Sequence, residues 1–241
     1  MQALTNLTES IIPGFSHQGI INESASIQAR QPHQGIAQLV DAIAKGAPEA
    51  GAPFWRLRAW GMLIWQPVYL AILSAYRLQT SIDNFEQLTL KQTAHYTLGY
   101  QLPENSRLIH HDSIDEAIDQ LAPALTTLCQ GYAEALCEQM PVRQPLLMAI
   151  LADTLFTTLE HLINQNILVV SDHNKAQWLF QQGQKWCQLM NLTVPKIAQR
   201  LLVQETSFQR KTCCLIYRCH GVKECANCPR LVAKQKDPIA L

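Results

Sequence analysis

Residues 114–163 read IDEAIDQLAPALTTLCQGYAEALCEQMPVRQPLLMAILADTLFTTLEHLI, and this stretch decides the fold class. Ser113, followed by Glu116 three residues later, forms a capping box that predicts a helix start at this point. Pro141 and Pro145 interrupt the helical pattern, so we expect two antiparallel helices joined by a short connection. One face of the second helix carries a leucine at every fourth position: Leu147, Leu151, Leu155 and Leu159.

Four more helices are predicted outside this pair, at residues 36–45, 54–77, 172–186 and 193–204. The second of them is strongly apolar, and we expect a kink at Pro67 because proline lacks the amide proton that a helix needs. Asp172 is predicted to cap the third helix. Thr193 is predicted to cap the fourth.

A small β element is predicted at residues 85–102, which contain the alternating string QLTLKQTAHYTLGYQL and favour a strand pair. Residues 1–30 show no clear period, and we expect an irregular entry with one short helix. The predicted fold class is therefore mainly α with a small β element. We expect a mostly helical body at residues 1–205 and a small cysteine-rich C-terminal segment at residues 206–241.

One apolar segment is long enough to be considered as a membrane span. Residues 59–76, AWGMLIWQPVYLAILSAY, have the length of a short span and carry no charge. Gln66 and Pro67 lie at the centre, where a membrane span disfavours both, so we expect a buried core helix and at most a peripheral membrane association. The N-terminus has no Lys or Arg before Arg30 and no apolar run of signal length, which predicts a cytoplasmic location.

Charge is divided unevenly along the chain. The 19 Lys and Arg residues equal the 19 Asp and Glu residues, which gives no reason to expect a nucleic-acid partner. Residues 1–195 nevertheless hold 10 basic and 16 acidic side chains, whereas residues 196–241 hold 9 basic and 3 acidic ones. The basic end also contains five of the eight cysteines. In a reducing compartment such a cluster favours metal binding or redox chemistry over disulfides.

Four cysteines have the spacing of a metal site: Cys213 and Cys214 are adjacent, ten residues separate them from Cys225, and two more precede Cys228. Four thiolates suit either one tetrahedral zinc ion or a two-iron cluster. Adjacent side chains in an extended segment point apart, which is awkward for a single zinc ion and easier for two separated irons. The spacing alone leaves both alternatives open.

The segment RKTCCLIYRCHGVKECANCP, residues 210–229, resembles the C-terminal motif of the FhuF-type ferric hydroxamate-siderophore reductases. The resemblance covers about twenty residues and includes Thr212, Leu215, Tyr217, Arg218 and Pro229 beside the cysteines. It implies a [2Fe-2S] cluster. The ligands that it implies are Cys213, Cys214, Cys225 and Cys228.

The resemblance also implies a function, namely one-electron reduction of a ferric hydroxamate siderophore so that Fe(II) is released in the cytoplasm. The body at residues 1–205 would then bind the siderophore. None of the ten glycines falls two residues from another, so no dinucleotide fingerprint exists, and we expect a ferredoxin- or flavodoxin-like protein as the electron donor. The alternatives are a cluster-bearing carrier or redox sensor, a zinc-stabilised binding module, and a siderophore-biosynthesis ligase, for which no ATP site is found.

Several other residues have a structural and a functional interpretation. Cys219 and His220 lie inside the ten-residue loop, and we expect the first to be a packing residue and the second a solvent-facing histidine rather than cluster ligands. The remaining thiols are predicted to be packing residues: Cys129, Cys137 and Cys187. Basic side chains near the cysteines would stabilise a reduced cluster or attract an acidic donor: Lys211, Arg218, Lys223 and Arg230. Candidates for siderophore contacts are His110, His111, Asp112, Phe54, Trp55, Trp60 and Trp65.

Overall fold

The computed structural model describes residues 1–203, 207–225 and 227–231. The predicted domain boundary after residue 205 lies outside these ranges. So does the end of the predicted C-terminal segment, residues 232–241.

Helices dominate the described chain, as the sequence predicted. The α-helices are α1 (Gln2–Ile11), α2 (Pro32–Gly46), α3 (Gly51–Leu73), α4 (Ile114–Gln139), α5 (Gln144–Asn164) and α6 (Lys175–Leu189). Helix α3 is the centre of the core, because it packs against α1, α2, α4 and α5 and buries side chains around its whole circumference. It continues into a π-helical turn at Ser74–Leu78.

Helices α4 and α5 confirm the prediction made from residues 114–163. Ser113 is the N-cap of α4, and its Oγ accepts a hydrogen bond from the Glu116 amide at 3.1 Å. The Glu116 carboxylate reaches back to the Asp112 amide at 3.2 Å, one residue earlier than an ideal capping box requires. The four predicted leucines of α5 are all buried.

The strand pair is also confirmed, as part of a larger sheet. Strands β1 (Ser26–Gln28), β3 (Thr89–Thr93) and β4 (Tyr96–Gln101) form an antiparallel sheet in the order β1-β3-β4. Strands β2 (Thr80–Ile82) and β5 (Leu108–His110) form a second antiparallel pair. The first sheet is tied to α3, because the Gln66 side chain accepts a hydrogen bond from the Gly99 amide of β4 at 2.9 Å.

Two predicted helix caps are wrong. Asp172 does not cap α6; it begins a 3-10 turn, Asp172–Asn174, where its carboxylate pairs with Lys175 at 2.7 Å, and Asn174 is the cap position. Thr193 caps nothing, because the segment after it is a 3-10 helix, Lys196–Leu202, that begins directly after Pro195. Short 3-10 pieces of this kind often connect helices to loops.

One helix among the described residues is long and apolar enough to cross a membrane by length and composition, namely α5, with a mean hydropathy of 1.5. Most of its apolar window, 61%, is buried inside the fold. The segment at residues 59–76, which sequence composition had singled out, lies in α3 and the turn that follows it. Its central residues Gln66 and Pro67 are buried in the core, as predicted.

Candidate metal centre

The four cysteines of the C-terminal segment lie in two close pairs. The Sγ atoms of Cys214 and Cys225 are 3.7 Å apart, and those of Cys213 and Cys228 are 4.0 Å apart. Two sulfurs bound to one tetrahedral metal with bonds of about 2.3 Å are separated by about 3.8 Å, so each pair has the spacing of two ligands on one metal.

This arrangement fits two metals better than one. Among residues 1–203, 207–225 and 227–231, no group of three or more His, Cys, Asp or Glu side chains converges on a single ion. A single zinc ion would need all four sulfurs around one point. A two-iron cluster needs two sulfurs at each iron, which is what the pairs provide. The adjacent residues Cys213 and Cys214 belong to different pairs, in agreement with side chains that point apart.

The local backbone explains how the pairs form. Leu215 has a left-handed conformation, with φ of 60°, and reverses the chain directly after the first two cysteines. A 3-10 turn at Ile216–Arg218 follows. The Cys228 amide donates to the Cys225 carbonyl at 3.0 Å, which brings one cysteine of each pair together. The β-prone composition of this segment does not produce a strand in its described part, because its backbone is occupied by these turns.

A buried carboxylate of α5 holds the segment just before the first cysteine. Asp153 is 0% exposed, and its Oδ2 accepts hydrogen bonds from the amide and the hydroxyl of Thr212 at 2.7 and 2.5 Å. Its Oδ1 accepts from the Lys211 amide at 3.2 Å. A carboxylate bound by three donors is a strong anchor, because each hydrogen bond is assisted by its charge.

A second contact with α5 lies two helical turns further along. The Glu160 carboxylate accepts a hydrogen bond from the Phe208 amide at 2.6 Å. Burial raises the pKa of Glu160, and the Phe208 hydrogen bond opposes that shift. The Phe208 ring stacks on Phe156 of α5, with 4.8 Å between the ring centroids. The entry to the cysteine segment is therefore fixed along one face of α5.

The cysteine segment is also fixed to the start of α3. The Arg218 guanidinium donates to the Ala50 carbonyl at 3.2 Å, and the His220 amide donates to the Glu49 carboxylate at 3.0 Å. The segment thus bridges α3 and α5, which pack against each other in the core. Both contacts join residues that are far apart in sequence.

Burial disfavours the thiolate form of two cysteines of the site. Burial, followed by the neighbouring Cys214 thiol, raises the pKa of Cys225 to about 11. Burial also raises the pKa of Cys213. Because a metal binds the thiolate, assembly of the site releases protons.

Arg58 is a functional candidate that the sequence analysis missed. It lies on α3, and burial lowers the pKa of its guanidinium, while Cys214 and Cys219 act in the opposite direction. It makes no hydrogen bond or ion pair within the described residues, so the sulfurs are the groups that its charge faces. Its sequence signal is a position in a largely apolar helix, where Arg56 and Arg58 are the charged residues.

A cavity of about 320 Å³ opens beside one cysteine pair, and we name it the cysteine cavity. Its lining includes Cys214 and Cys225 together with Arg58 and Arg210, and none of the described residues that line it is a carboxylate. Cys228 of the other pair is 2% exposed. The two pairs therefore differ, since one faces an open space and the other includes a buried sulfur.

The aromatic candidates for siderophore contact divide into two groups. Phe54 and Trp65 line the cysteine cavity. Trp60 is fully buried and donates its indole proton to the Leu147 carbonyl at 2.8 Å, and Trp55 donates to the Ala47 carbonyl at 2.8 Å, so both are structural.

The polar candidates belong to a different part of the fold. His110 ends strand β5, and His111 contacts the Ser81 hydroxyl at 2.8 Å. These two residues and Asp112 are absent from the lining of the cysteine cavity.

The three cysteines outside the C-terminal segment are packing residues, as predicted. Cys129 and Cys187 are buried in the core, and Cys137 packs against it. Cys219 and His220 line a separate cavity of about 310 Å³ with Arg58 and His95. The basic side chains predicted to lie near the cysteines are exposed: Lys211, Arg218, Lys223 and Arg230. The guanidinium of Arg230 lies 4.0 Å from the ring centroid of Tyr217.

Comparison with known proteins identifies the segment. Residues 210–230 match the family model described as the FhuF 2Fe-2S C-terminal domain. No solved structure matches the chain. A zinc-stabilised module is therefore set aside, and the cofactor of this segment is a [2Fe-2S] cluster. The chain therefore carries, at residues 210–230, an iron-sulfur segment that is similar to the FhuF 2Fe-2S C-terminal domain.

Proposed function

We propose that this protein is a cytoplasmic ferric-siderophore reductase, in which Cys213, Cys214, Cys225 and Cys228 hold the cluster. The observation that carries the proposal is the cysteine cavity, because an electron acceptor in this space would lie against the Cys214–Cys225 pair. A buried carrier site would need no such space. Pockets of a few hundred cubic ångströms are typical of small-molecule sites.

The reaction is a one-electron transfer to iron. A [2Fe-2S] group held by the two cysteine pairs supplies one electron at a time. The substrate Fe(III), bound by anionic hydroxamate oxygens, accepts that electron and becomes Fe(II). Fe(II) has less charge and binds these hard ligands more weakly, so it leaves to other cellular ligands. A one-electron carrier protein restores the electron.

The residues around the cavity serve this reaction through charge and position. Arg58 and Arg210 place two positive charges near the Cys214 and Cys225 sulfurs, and they offset the negative charge of bound thiolates. Asp153 and Glu160 hold the backbone that leads to the cysteines. They thereby keep Cys214 and Cys225, which would hold part of the cluster, at one wall of the cavity.

The electron donor is proposed to be a ferredoxin- or flavodoxin-like protein. Lys211, Lys223 and Arg230 are exposed on the cysteine segment and would attract an acidic partner. Because no dinucleotide fingerprint exists, we expect no turnover with NADPH alone. Steady turnover with NADPH and no carrier would refute this part of the proposal.

The function is tested by a single turnover without oxygen. The protein is reduced with dithionite, freed of excess reductant and mixed with a ferric trihydroxamate and a chelator that colours with Fe(II). We expect the visible absorbance of the oxidised protein to return while about one Fe(II) is trapped per cluster reoxidised. Recovery of colour in air alone, with no Fe(II) formed from the trihydroxamate, would favour the carrier or sensor alternative.

A further inference from the structure

A second cavity adjoins the cysteine cavity and shares a wall with it. This polar cavity has a volume of about 430 Å³, and its lining includes Tyr69, His161 and Asn227. Trp65, Thr154 and Thr157 line both cavities. The two spaces therefore adjoin, and side chains of α3 and α5 border both.

The two cavities differ in charge. Among the residues that the structure describes, the lining of the cysteine cavity has two arginines, Arg58 and Arg210, and no carboxylate. Within the same part of the chain, the lining of the polar cavity has no Lys or Arg and one carboxylate, Glu160. The two arginines of the first space can thus donate hydrogen bonds to oxygen ligands, whereas a neutral or cationic polar group is favoured in the second space.

The polar cavity offers groups that can bind a ligand. Within the described part of the chain, the Tyr69 hydroxyl and the His161 ring make no hydrogen bond, although their rings lie 6.2 Å apart. Tyr69 also meets Trp65 edge to face, with 5.8 Å between centroids. Unpaired polar groups beside aromatic faces are typical of sites for polar organic ligands.

We infer that the two cavities form one bipartite substrate site. The ferric centre, with its anionic oxygens, lies in the cysteine cavity against Cys214 and Cys225, and the amide-bearing organic chain lies in the polar cavity on Trp65 and Tyr69. This inference rests on the proposed function and adds where the substrate lies and how it is oriented. Each space alone is small for a whole siderophore, whereas together they reach the upper part of the roughly 300–1,000 Å³ range of ligand sites.

Gly61 provides a sharp test, because it lines the cysteine cavity and a Cβ added there meets no atom within 4 Å. Gly61→Leu therefore fills the space without a clash at its Cβ. Gly131 is the matched control, since it also lies inside a helix with open space around a Cβ, and it is absent from the lining of both cavities. Tyr69→Phe removes the hydroxyl from the polar cavity and keeps the ring.

The probe is the gallium(III) complex of desferrioxamine B, which has the charge of its ferric counterpart and accepts no electron. Its affinity for the oxidised holoprotein is measured by titration calorimetry, after the visible spectrum has verified an intact cluster in each variant. We expect Gly61→Leu to weaken binding at least tenfold and Tyr69→Phe about three- to tenfold. Gly131→Leu should stay within twofold of the original protein.

The outcomes separate this inference from the proposed function. If Gly61→Leu and Tyr69→Phe bind as tightly as Gly131→Leu, or if the original protein does not bind the gallium complex, the bipartite site is overturned, even where ferric complexes are reduced. If the gallium complex binds as expected and the ferric complex is not reduced, the site stands as a binding site and the reductase proposal fails.

Discussion

Asp153 is the residue on which the position of the cysteine segment depends most directly. It is fully buried, and its carboxylate accepts hydrogen bonds from Lys211 and Thr212, immediately before Cys213. Its partners are 58 and 59 residues away in sequence, so the contact couples the helical body to the metal site. A carboxylate in this role accepts hydrogen bonds only, which suits three donors.

We predict that Asp153→Asn destabilises the fold by about 2–4 kcal/mol, because the new amide turns a donor toward donors in a buried place. Iron content should fall as well. Urea unfolding and iron analysis measure the two effects. Asp172→Asn is the matched control, since Asp172 is exposed and its ion pair with Lys175 is worth little. Equal stability and iron content in Asp153→Asn and Asp172→Asn would contradict this role.

The ligand assignment predicts a contrast between neighbouring thiols. Cys225→Ala should lose the cluster, because one iron would keep a single protein sulfur. Cys219→Ala, in the same loop, should retain two irons and two sulfides per chain, since Cys219 belongs to neither sulfur pair. Iron and sulfide analysis of anaerobically purified protein decides between them. Loss of the cluster in both variants would make Cys219 part of the site.

Arg58 should set the reduction potential of the cluster. Reduction adds negative charge near its guanidinium, so Arg58→Gln should lower the potential, by about 59 mV for every 1.4 kcal/mol of stabilisation lost. A redox titration followed by visible absorbance measures the change. Arg56→Gln is the control on the same helix, because the Arg56 side chain points elsewhere and donates to the Pro141 carbonyl at 2.5 Å. An unchanged potential in Arg58→Gln would assign its charge to substrate binding alone.

At the scale of elements, α5 is the helix that anchors the cysteine segment. Asp153, Phe156 and Glu160 follow one another at spacings of three and four residues, so they share one helical face. That face holds residues 208–212. On the other side of Phe156 lies Gly183 of α6, where an added Cβ would come within 2.3 Å of the Phe156 ring.

Gly183→Ala is therefore predicted to destabilise the protein by about 1–3 kcal/mol through overpacking, although alanine favours a helix more than glycine does. Gly131→Ala, with open space around its Cβ, should be neutral or stabilising by up to about 1 kcal/mol. Urea unfolding curves compare the two. A Gly183→Ala protein as stable as Gly131→Ala would show that Phe156 can move without cost to the docked Phe208.

Sequence reasoning succeeded where the signal was local. The helices α4 and α5, the Ser113 cap and the strands β3 and β4 follow from periodicity and turn residues within a few positions. The caps at Asp172 and Thr193 failed because Asp172 pairs with Lys175 instead, and because the segment after Pro195 winds as a 3-10 helix.

The site was only partly predictable for a similar reason. The four cysteines were identified from their spacing and from a family resemblance, but their pairing, the cavity and the roles of Arg58 and Asp153 depend on contacts across the fold. The clue that the sequence offered for Arg58 and Asp153 was a charged residue within a largely apolar stretch. Asp153 lies between the buried residues Leu151 and Leu155, where a carboxylate must find partners.

At the scale of the whole molecule, the helical body and the cysteine segment contribute different parts of the proposed site. The body provides α3 and α5, whose side chains border both cavities. The segment adds the cysteines and an exposed basic surface. The Cys214–Cys225 pair faces the cysteine cavity, whereas exposed cations lie elsewhere on the segment. We propose that electrons enter from an acidic donor at the basic surface and leave through the cavity.

The most direct test of the reductase proposal follows the electron from one iron to another. Mössbauer spectroscopy detects only iron-57, so the reduced protein is prepared with natural iron and mixed without oxygen with an iron-57 trihydroxamate. A second sample reverses the labels. We predict that the substrate iron becomes ferrous as the cluster iron is oxidised, with about one substrate ion reduced per cluster. Substrate iron that stays ferric beside a cluster that stays reduced would contradict the reductase proposal.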